Sequence, residues 1–489
     1  MSDKKTGIKS LFGEAGIYGL GDLFGKCGAL LILPFVLAVL EPGEYGLLDT
    51  FQTTVVLLSA FFGFGFVTAA LRYYHAAGKK EHQTLLLSSG LWGLLSICVP
   101  VTLLGMMVVL LLSDKSALAG KYRSFCLVAV GLTPFRVCYT YLVNILRAQH
   151  KPWAYLRINF LQLILFYGFS VYYVLSLHMG AVGILLGNLT ADAIGSIRGA
   201  VVNRDTLRFK FSFSEYALLW RFGFPIMLTL LALHVMNMAN RYFMIKFASL
   251  ETIGIYGLAA KFGMIMNVAV TGPIVAAWQP FLASTADQDK RQGMYGRVMT
   301  FSLFFAGWCF LGLSLLSPIV IRLISPQSYW AAIPLVPLIA LSYVFLTICF
   351  VSDAGVFLGG KTRMYAVNSC VGVTVSQLLN FILIPRFGAV GAAIACLGGY
   401  GSMAILMFTY SQRCLKVQYE WRRIALLILV AVSIFAGHCY LSRMSTKISV
   451  VYSVSGVFLF PVILWFMNFV TPGEKAKVLE RFRSVYSHF

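Results

Sequence analysis

Apolar residues along this chain come in long runs of about 20 residues or more, broken by short stretches that hold charges, Gly and Pro. A run of that length spans the roughly 30 Å hydrocarbon core of a bilayer as one helix. Fourteen such spans are predicted, over 15–40, 45–71, 84–112, 124–146, 154–177, 181–202, 218–245, 253–282, 298–324, 333–357, 365–384, 389–410, 424–441 and 448–470. The first is too long for the core of a secretory signal and no small-residue cleavage pattern follows it, so it is expected to be retained. Asp353 and Gly355 are expected to unwind the inner end of the tenth. The fold class is therefore an all-α polytopic membrane protein.

Composition sharpens this. Of 489 residues 59% are hydrophobic and only 12% charged, with a mean hydropathy of +0.81. A soluble chain of this length would hold about three domains at about 25% charged residues, so three water-facing cores are excluded. The net charge of +21, from 39 Lys and Arg against 18 Asp and Glu, would suit nucleic acid. No polar stretch is long enough to carry such a surface, so no nucleic-acid partner is expected.

The cations sort instead by side of the membrane. With the N-terminus inside, 24 fall in the inner segments and 8 in the outer ones, from Lys115 and Lys121 to Arg443 and Lys447. Lys and Arg of short loops stay on the cytoplasmic side, so both termini are expected there.

The chain also repeats itself. Tyr45-Gly46-Leu47 recurs as Tyr256-Gly257-Leu258, Lys151 with Tyr155 as Lys361 with Tyr365, and Gly180-Ala181-Val182-Gly183 as Gly388-Ala389-Val390-Gly391. The offsets, 211, 210 and 208, are nearly one value. The expected organisation is a six-helix bundle over 1–210, a second over 211–415, and two extra helices with a tail over 416–489. An even number of helices per unit inserts both the same way round, so a pseudo-two-fold along the membrane normal is expected, with the substrate between the halves.

Several chemistries do not fit. Ten cysteines lie scattered, almost all within spans and never as C-x-x-C, and read as buried free thiols rather than a metal site or disulfide framework. Gly355 to Thr362 satisfies the phosphate-loop pattern but ends a membrane span, with no preceding strand, so it reads as a Gly-rich turn. No cofactor is implied. The longest outer loop, near 113–123, is too short for a glycosyltransferase acceptor site, and His234 has no second catalytic group, so no enzyme activity is expected.

Seven cations stand within spans, where each costs about 2.5–3.5 kcal/mol at the bilayer centre. Arg157, Arg198, Arg221 and Arg241 lie within about a turn of a span end, in snorkelling reach. Lys26, Arg136 and Lys261 are deeper. Each belongs to a polar stripe: Asp22 with Lys26; Thr133, Arg136, Thr140 and Asn144; Lys261, Thr271 and Trp278. His234, Asn237 and Arg241 form a further one. Either Asp22 simply neutralises Lys26, or the stripes line an aqueous cavity. Against four acids, Asp22, Asp49, Asp192 and Asp353, such a cavity is net positive and suits a phosphate or pyrophosphate head.

The segments Leu33-Pro34 with Glu41-Pro42-Gly43-Glu44-Tyr45-Gly46-Leu47, Asn240-Arg241-Tyr242-Phe243, Gly254 to Phe262, and Ala277-Trp278-Gln279-Pro280-Phe281 resemble polysaccharide exporters of the Wzx type. These belong to the multidrug/oligosaccharidyl-lipid/polysaccharide superfamily. The resemblance implies a MATE-like fold in a bacterial inner membrane and no enzyme. It implies a flippase for undecaprenyl-pyrophosphate-linked O-antigen or a similar lipopolysaccharide or surface-polysaccharide repeat unit, working beside polymerase machinery. Substrate-binding residues are then expected to be Lys26, Arg136, Lys261, Arg241, Asn237, Arg157 and Arg221. Asp22, Asp49, Asp192 and Asp353 are the candidates for proton or sodium countertransport. Asn240 stands where such families often have Asp. A lipid II flippase and a multidrug antiporter are the rivals within the superfamily.

Overall fold

A computed structural model describes residues 28, 31–76, 78–113, 117–284, 292–361, 363–444, 446–467 and 469–471. Among the described residues every regular element is helical. Eleven helices among the described residues are, by length and composition, apolar enough to cross a membrane, and one of these, of 52 residues, contains a kink. The multi-pass helical architecture expected from the apolar runs is therefore present.

Packing divides the chain into two compact units, Met1–Gly257 and Leu258–Phe489. The first holds α1 (Leu33–Val39), α2 (Pro42–Phe62), α3 (Phe66–Ala76), α4 (Lys80–Ser113), α5 (Ala117–Ala148), α6 (Pro152–Leu175), α7 (Gly180–Val202) and α8 (Phe213–Phe247). Pro42 and Pro152 open α2 and α6, where the missing N–H costs nothing. The second predicted span is two helices, α2 and α3, parted by a turn at 63–65. Packing of α7 on α5 and α6, and of α5 on α4, builds the unit. One of its cores joins Leu86, Leu87, Leu91, Tyr141, Leu142 and Leu219. The helix that the repeat sets at the head of its second copy, α8, packs on α2, α3 and α4.

From α9 (Leu250–Met266), which crosses the division, the second unit continues through a π-helical turn at Asn267–Thr271 into α10 (Gly272–Ser284). Next come α11 (Gln292–Ile324), α12 (Leu335–Val351), the short α13 (Ala354–Leu358), α14 (Arg363–Cys414), α15 (Trp421–Met444) and α16 (Thr446–Phe466). Helix α12 stops at Val351 and a turn at Ser352 and Asp353 precedes α13, the interruption that Asp353 and Gly355 foretold. The last two helices pack on each other and on α11 around Leu311, Leu315, Leu427, Phe460 and Leu464.

Equivalent positions of the repeated motifs share local geometry. Gly180 and Gly388, equivalent by sequence, both take φ of +53°, which L side chains rarely adopt, and each stands at the head of a helical run. Gly388, with ψ of −125°, kinks α14 where the eleventh and twelfth spans meet. The equivalent tyrosines each tie a helix start to what precedes it. The Tyr155 hydroxyl accepts from Arg147 at the end of α5, and the Tyr365 hydroxyl donates to Asp353.

Candidate functional site

Within the first unit, Arg136 on α5 meets Asp192 on α7, Nε to Oδ2, at 2.7 Å. The contact is electrostatic rather than an aligned hydrogen bond. The Asp192 side chain is fully buried, whereas 29% of the Arg136 side chain is accessible. Arg136 Nη2 also donates to Asn188 Oδ1 at 3.3 Å, and Gln162 Nε2 on α6 donates to Asp192 Oδ1 at 3.0 Å. Asn188 and Asp192 are four apart, so one face of α7 presents both to the guanidinium. One turn on, Tyr139 donates to Asn159 Oδ1 at 2.9 Å. An unpaired ion here would cost several kcal/mol, so the pair is how these helices tolerate both charges.

A second pair ties α2 to α8. Arg241 Nε lies 2.8 Å from Asp49 Oδ2, both side chains nearly sealed from solvent. Arg241 Nη1 donates to Asn240 Oδ1 at 3.2 Å, Asn240 Nδ2 donates to the Tyr256 hydroxyl, and the guanidinium stands 5.4 Å from the Tyr256 ring centre. Backbones make this possible. A Cβ on Gly254 would stand 1.9 Å from the Pro42 carbonyl oxygen, and one on Gly46 2.1 Å from that of Leu250. A Cβ on Gly257 would stand 2.9 Å from Asp49 Oδ2. Thus glycines of the repeated Tyr-Gly-Leu motif let α2 and the start of α9 touch and give Asp49 its room.

In the second unit the carboxylate of Asp353, at the α12–α13 break, accepts from Trp278 Nε1 at 2.8 Å and from the Tyr365 hydroxyl at 2.7 Å. Among the described residues no cation pairs with it. Tyr419, in the connection after α14, has its pKa pushed up to about 12 by burial and, second, by the Asp353 charge. The expected polar face of Lys261, Thr271 and Trp278 is not continuous. The π turn at 267–271 shifts the register. Thr271 then bonds Thr347 of α12 at 2.8 Å, and Trp278 turns to Asp353, so both are buried in packing.

The other expected residues fall as follows. Lys26 and Asp22 lie outside the described residues, as does the side chain of Asn237. Lys261 is half-buried on α9. Arg157 and Arg221 are exposed and, among the described residues, make no ion pair. Gln162 and Asn188 went unflagged in the sequence, and Tyr256 stood out there only as part of a repeated motif. The signal was there for the amides: neutral but costly to bury in an apolar span without a partner.

Compared with known proteins, residues 13–286 match the model of a family described as polysaccharide biosynthesis protein. A protein of the Lsg locus of Haemophilus influenzae is 24% identical over 270 residues, 53% of this chain and 63% of that protein. An uncharacterized membrane protein of Methanocaldococcus jannaschii is 22% identical over 177 residues, 36% of this chain and 35% of that one. The chain thus spans less than two thirds of either relative. Among solved structures, the lipid II flippase MurJ in an inward closed conformation shares the fold. Its TM-score is 0.72 at 14% identity, over 92% of this chain and 99% of that one. An inward-facing multidrug resistance MATE family transporter of the MOP superfamily aligns with a TM-score of 0.67 at 16% identity, over 79% and 94%. At these identities the likeness is one of fold.

Proposed function

The chain belongs to the polysaccharide biosynthesis protein family, and from that premise we propose that it is a flippase for a polyprenyl-pyrophosphate-linked oligosaccharide. The substrate class is O-antigen or another surface-polysaccharide repeat unit, carried from the cytoplasmic to the outer leaflet of a bacterial inner membrane. The protein is a transporter with both termini in the cytoplasm, not an enzyme. The observation that carries the reading is Arg136, which holds a fully buried carboxylate on one side and keeps an accessible face on the other. That face offers a forked donor to a phosphate oxygen.

In this mechanism the anionic head rests on Arg136 and Lys26, and access alternates between the leaflets while the polyprenyl tail stays in lipid. Arg241, enclosed by Asp49 and Asn240, organises the helices rather than touching the head. An inside-negative potential favours outward movement of a doubly charged pyrophosphate by about 4.6 kcal/mol per 100 mV. Asp192 is the carboxylate placed to sense a proton or sodium ion, since it sits against Arg136, a cation whose pairing the substrate alters.

The test is complementation of a bacterium lacking its own exporter. Arg136→Ala and Lys26→Ala, expressed at wild-type level, are expected to abolish surface polysaccharide; full polysaccharide from both would overturn the cationic site. A second reading, a lipid II flippase, is favoured by the likeness to MurJ and by an apolar cavity of about 580 Å³ beside α15. It is lined by Phe345, Phe408, Trp421, Ile428 and Phe435, and suits part of a polyprenyl chain. Rescue of lipid II export, and not of polysaccharide, would select it. A multidrug antiporter needs a free acidic site in the first half; among the described residues Asp49 and Asp192 are both held by arginines.

A further inference from the structure

Between α7 and α8 the chain runs without regular structure from Leu207 to Ser212. It is nevertheless strapped to α4 at three points. The Arg208 N–H donates to Ser88 Oγ at 3.0 Å, the Ser212 N–H to Ser89 Oγ at 2.9 Å, and Trp92 Nε1 to the Arg208 carbonyl at 3.0 Å. Along the strap, cation and phenylalanine alternate as Arg208, Phe209, Lys210, Phe211, and Phe213 opens α8. All five side chains are exposed. Among the described residues Arg208 and Lys210 have no acidic partner. The nearby acids are otherwise engaged: Asp205 lies by Arg204, and Glu215 is bound by His82 at 2.8 Å.

Three neighbouring phenylalanines left uncovered are unusual on a surface that meets water. Here the rings continue an aromatic series. Phe209 stacks on Trp92 with centres 4.6 Å apart, Phe211 lies 5.8 Å from Tyr216, Tyr216 6.3 Å from Trp220, and Trp220 5.6 Å from Phe224. Aromatic rings gather at the headgroup level of a membrane, and the strap joins two spans, so connectivity and chemistry place it at the same depth. Cations held at that depth attract anionic headgroups.

We infer that residues 208–213 are a lipid-binding strap for an anionic bilayer lipid. Arg208 and Lys210 take the headgroup phosphate, and Phe209, Phe211 and Phe213 lie among the upper acyl chains. The occupant is a lipid of the surrounding leaflet, not the transported molecule. The strap joins the two sequence repeats and is pinned to α4, so lipid bound there anchors the frame against which the helices move. This holds or fails independently of the transport reading.

The experiment titrates the purified full-length chain in detergent with phosphatidylglycerol or phosphatidylcholine and counts retained lipids by native mass spectrometry. The wild type is expected to prefer phosphatidylglycerol, and added salt to remove the preference. Arg208→Gln with Lys210→Gln is expected to weaken phosphatidylglycerol retention by about tenfold. Phe209→Ser with Phe211→Ser weakens both lipids alike. Lys246→Gln, an exposed cation at the far end of α8, leaves the preference unchanged. The strap's hydrogen bonds to Ser88, Ser89 and Trp92 run through backbone groups on the strap side, so these substitutions leave those bonds in place, and only Phe209→Ser gives up the stack on Trp92. No preference in the wild type, a preference that survives salt or the double Gln variant, or one equally lost in Lys246→Gln would each overturn the inference.

Discussion

Arg241 and Asp49 lie 192 residues apart in sequence and 2.8 Å apart in the structure, with 10% and 6% of their side chains accessible. Neither charge could sit at that depth alone, so each is the condition of the other's burial. Removing one partner leaves an uncompensated ion, at a cost of about 3–5 kcal/mol. Arg241→Met and Asp49→Leu are each expected to lower the melting temperature of the detergent-purified protein sharply, and the double variant to recover most of the loss. If the single variants melt like wild type, the pair does not hold α2 to α8.

Arg136 and Asp192 answer differently, because the guanidinium keeps an accessible face. Arg136→Met should destabilise by a similar amount through the stranded Asp192. Adding Asp192→Leu should restore the melt but not surface polysaccharide in the complemented strain. Restoration of both would make Arg136 a structural residue only.

The contact of α2 with the start of α9 depends on two glycines, since a Cβ on either Gly46 or Gly254 would lie near 2 Å from a backbone oxygen. Backbone cannot swing aside as a side chain does. Gly254→Ala and Gly46→Ala are expected to cost about 1–3 kcal/mol each as overpacking. Denaturation in detergent measures this, and Gly293→Ala, where nothing lies within 4 Å, serves as the silent control.

Asp353 is held by neutral donors, so its loss of a partner is gentler. Trp278→Phe keeps the stacking on Phe281 and the edge contact with Tyr295 but withdraws one N–H from the carboxylate. A cost of about 1–3 kcal/mol is expected. Coupling it with Tyr365→Phe should exceed the sum of the two alone, because the second change strips the last side-chain donor from a buried carboxylate. Additive melting shifts would show that the two donors act separately.

Much of this molecule is written in local sequence. A bilayer demands about 20 apolar residues per crossing whatever their neighbours do, so the spans could be read one window at a time, and the repeated Gly-Ala-Val-Gly motif marked where a new helical run begins. The cost of a charge within a span is likewise local, which is why Arg136, Arg241 and the acids stood out before any helix was placed. Partner choice is not local. Which faces meet decided that Arg136 reaches Asp192, that Arg241 reaches Asp49, and that Trp278 turns to Asp353 rather than to a cavity. A single π turn at 267–271 was enough to move Thr271 and Trp278 off the stripe that a regular helix would have kept. Sequence determined where charge would be costly; only packing decided what offsets it.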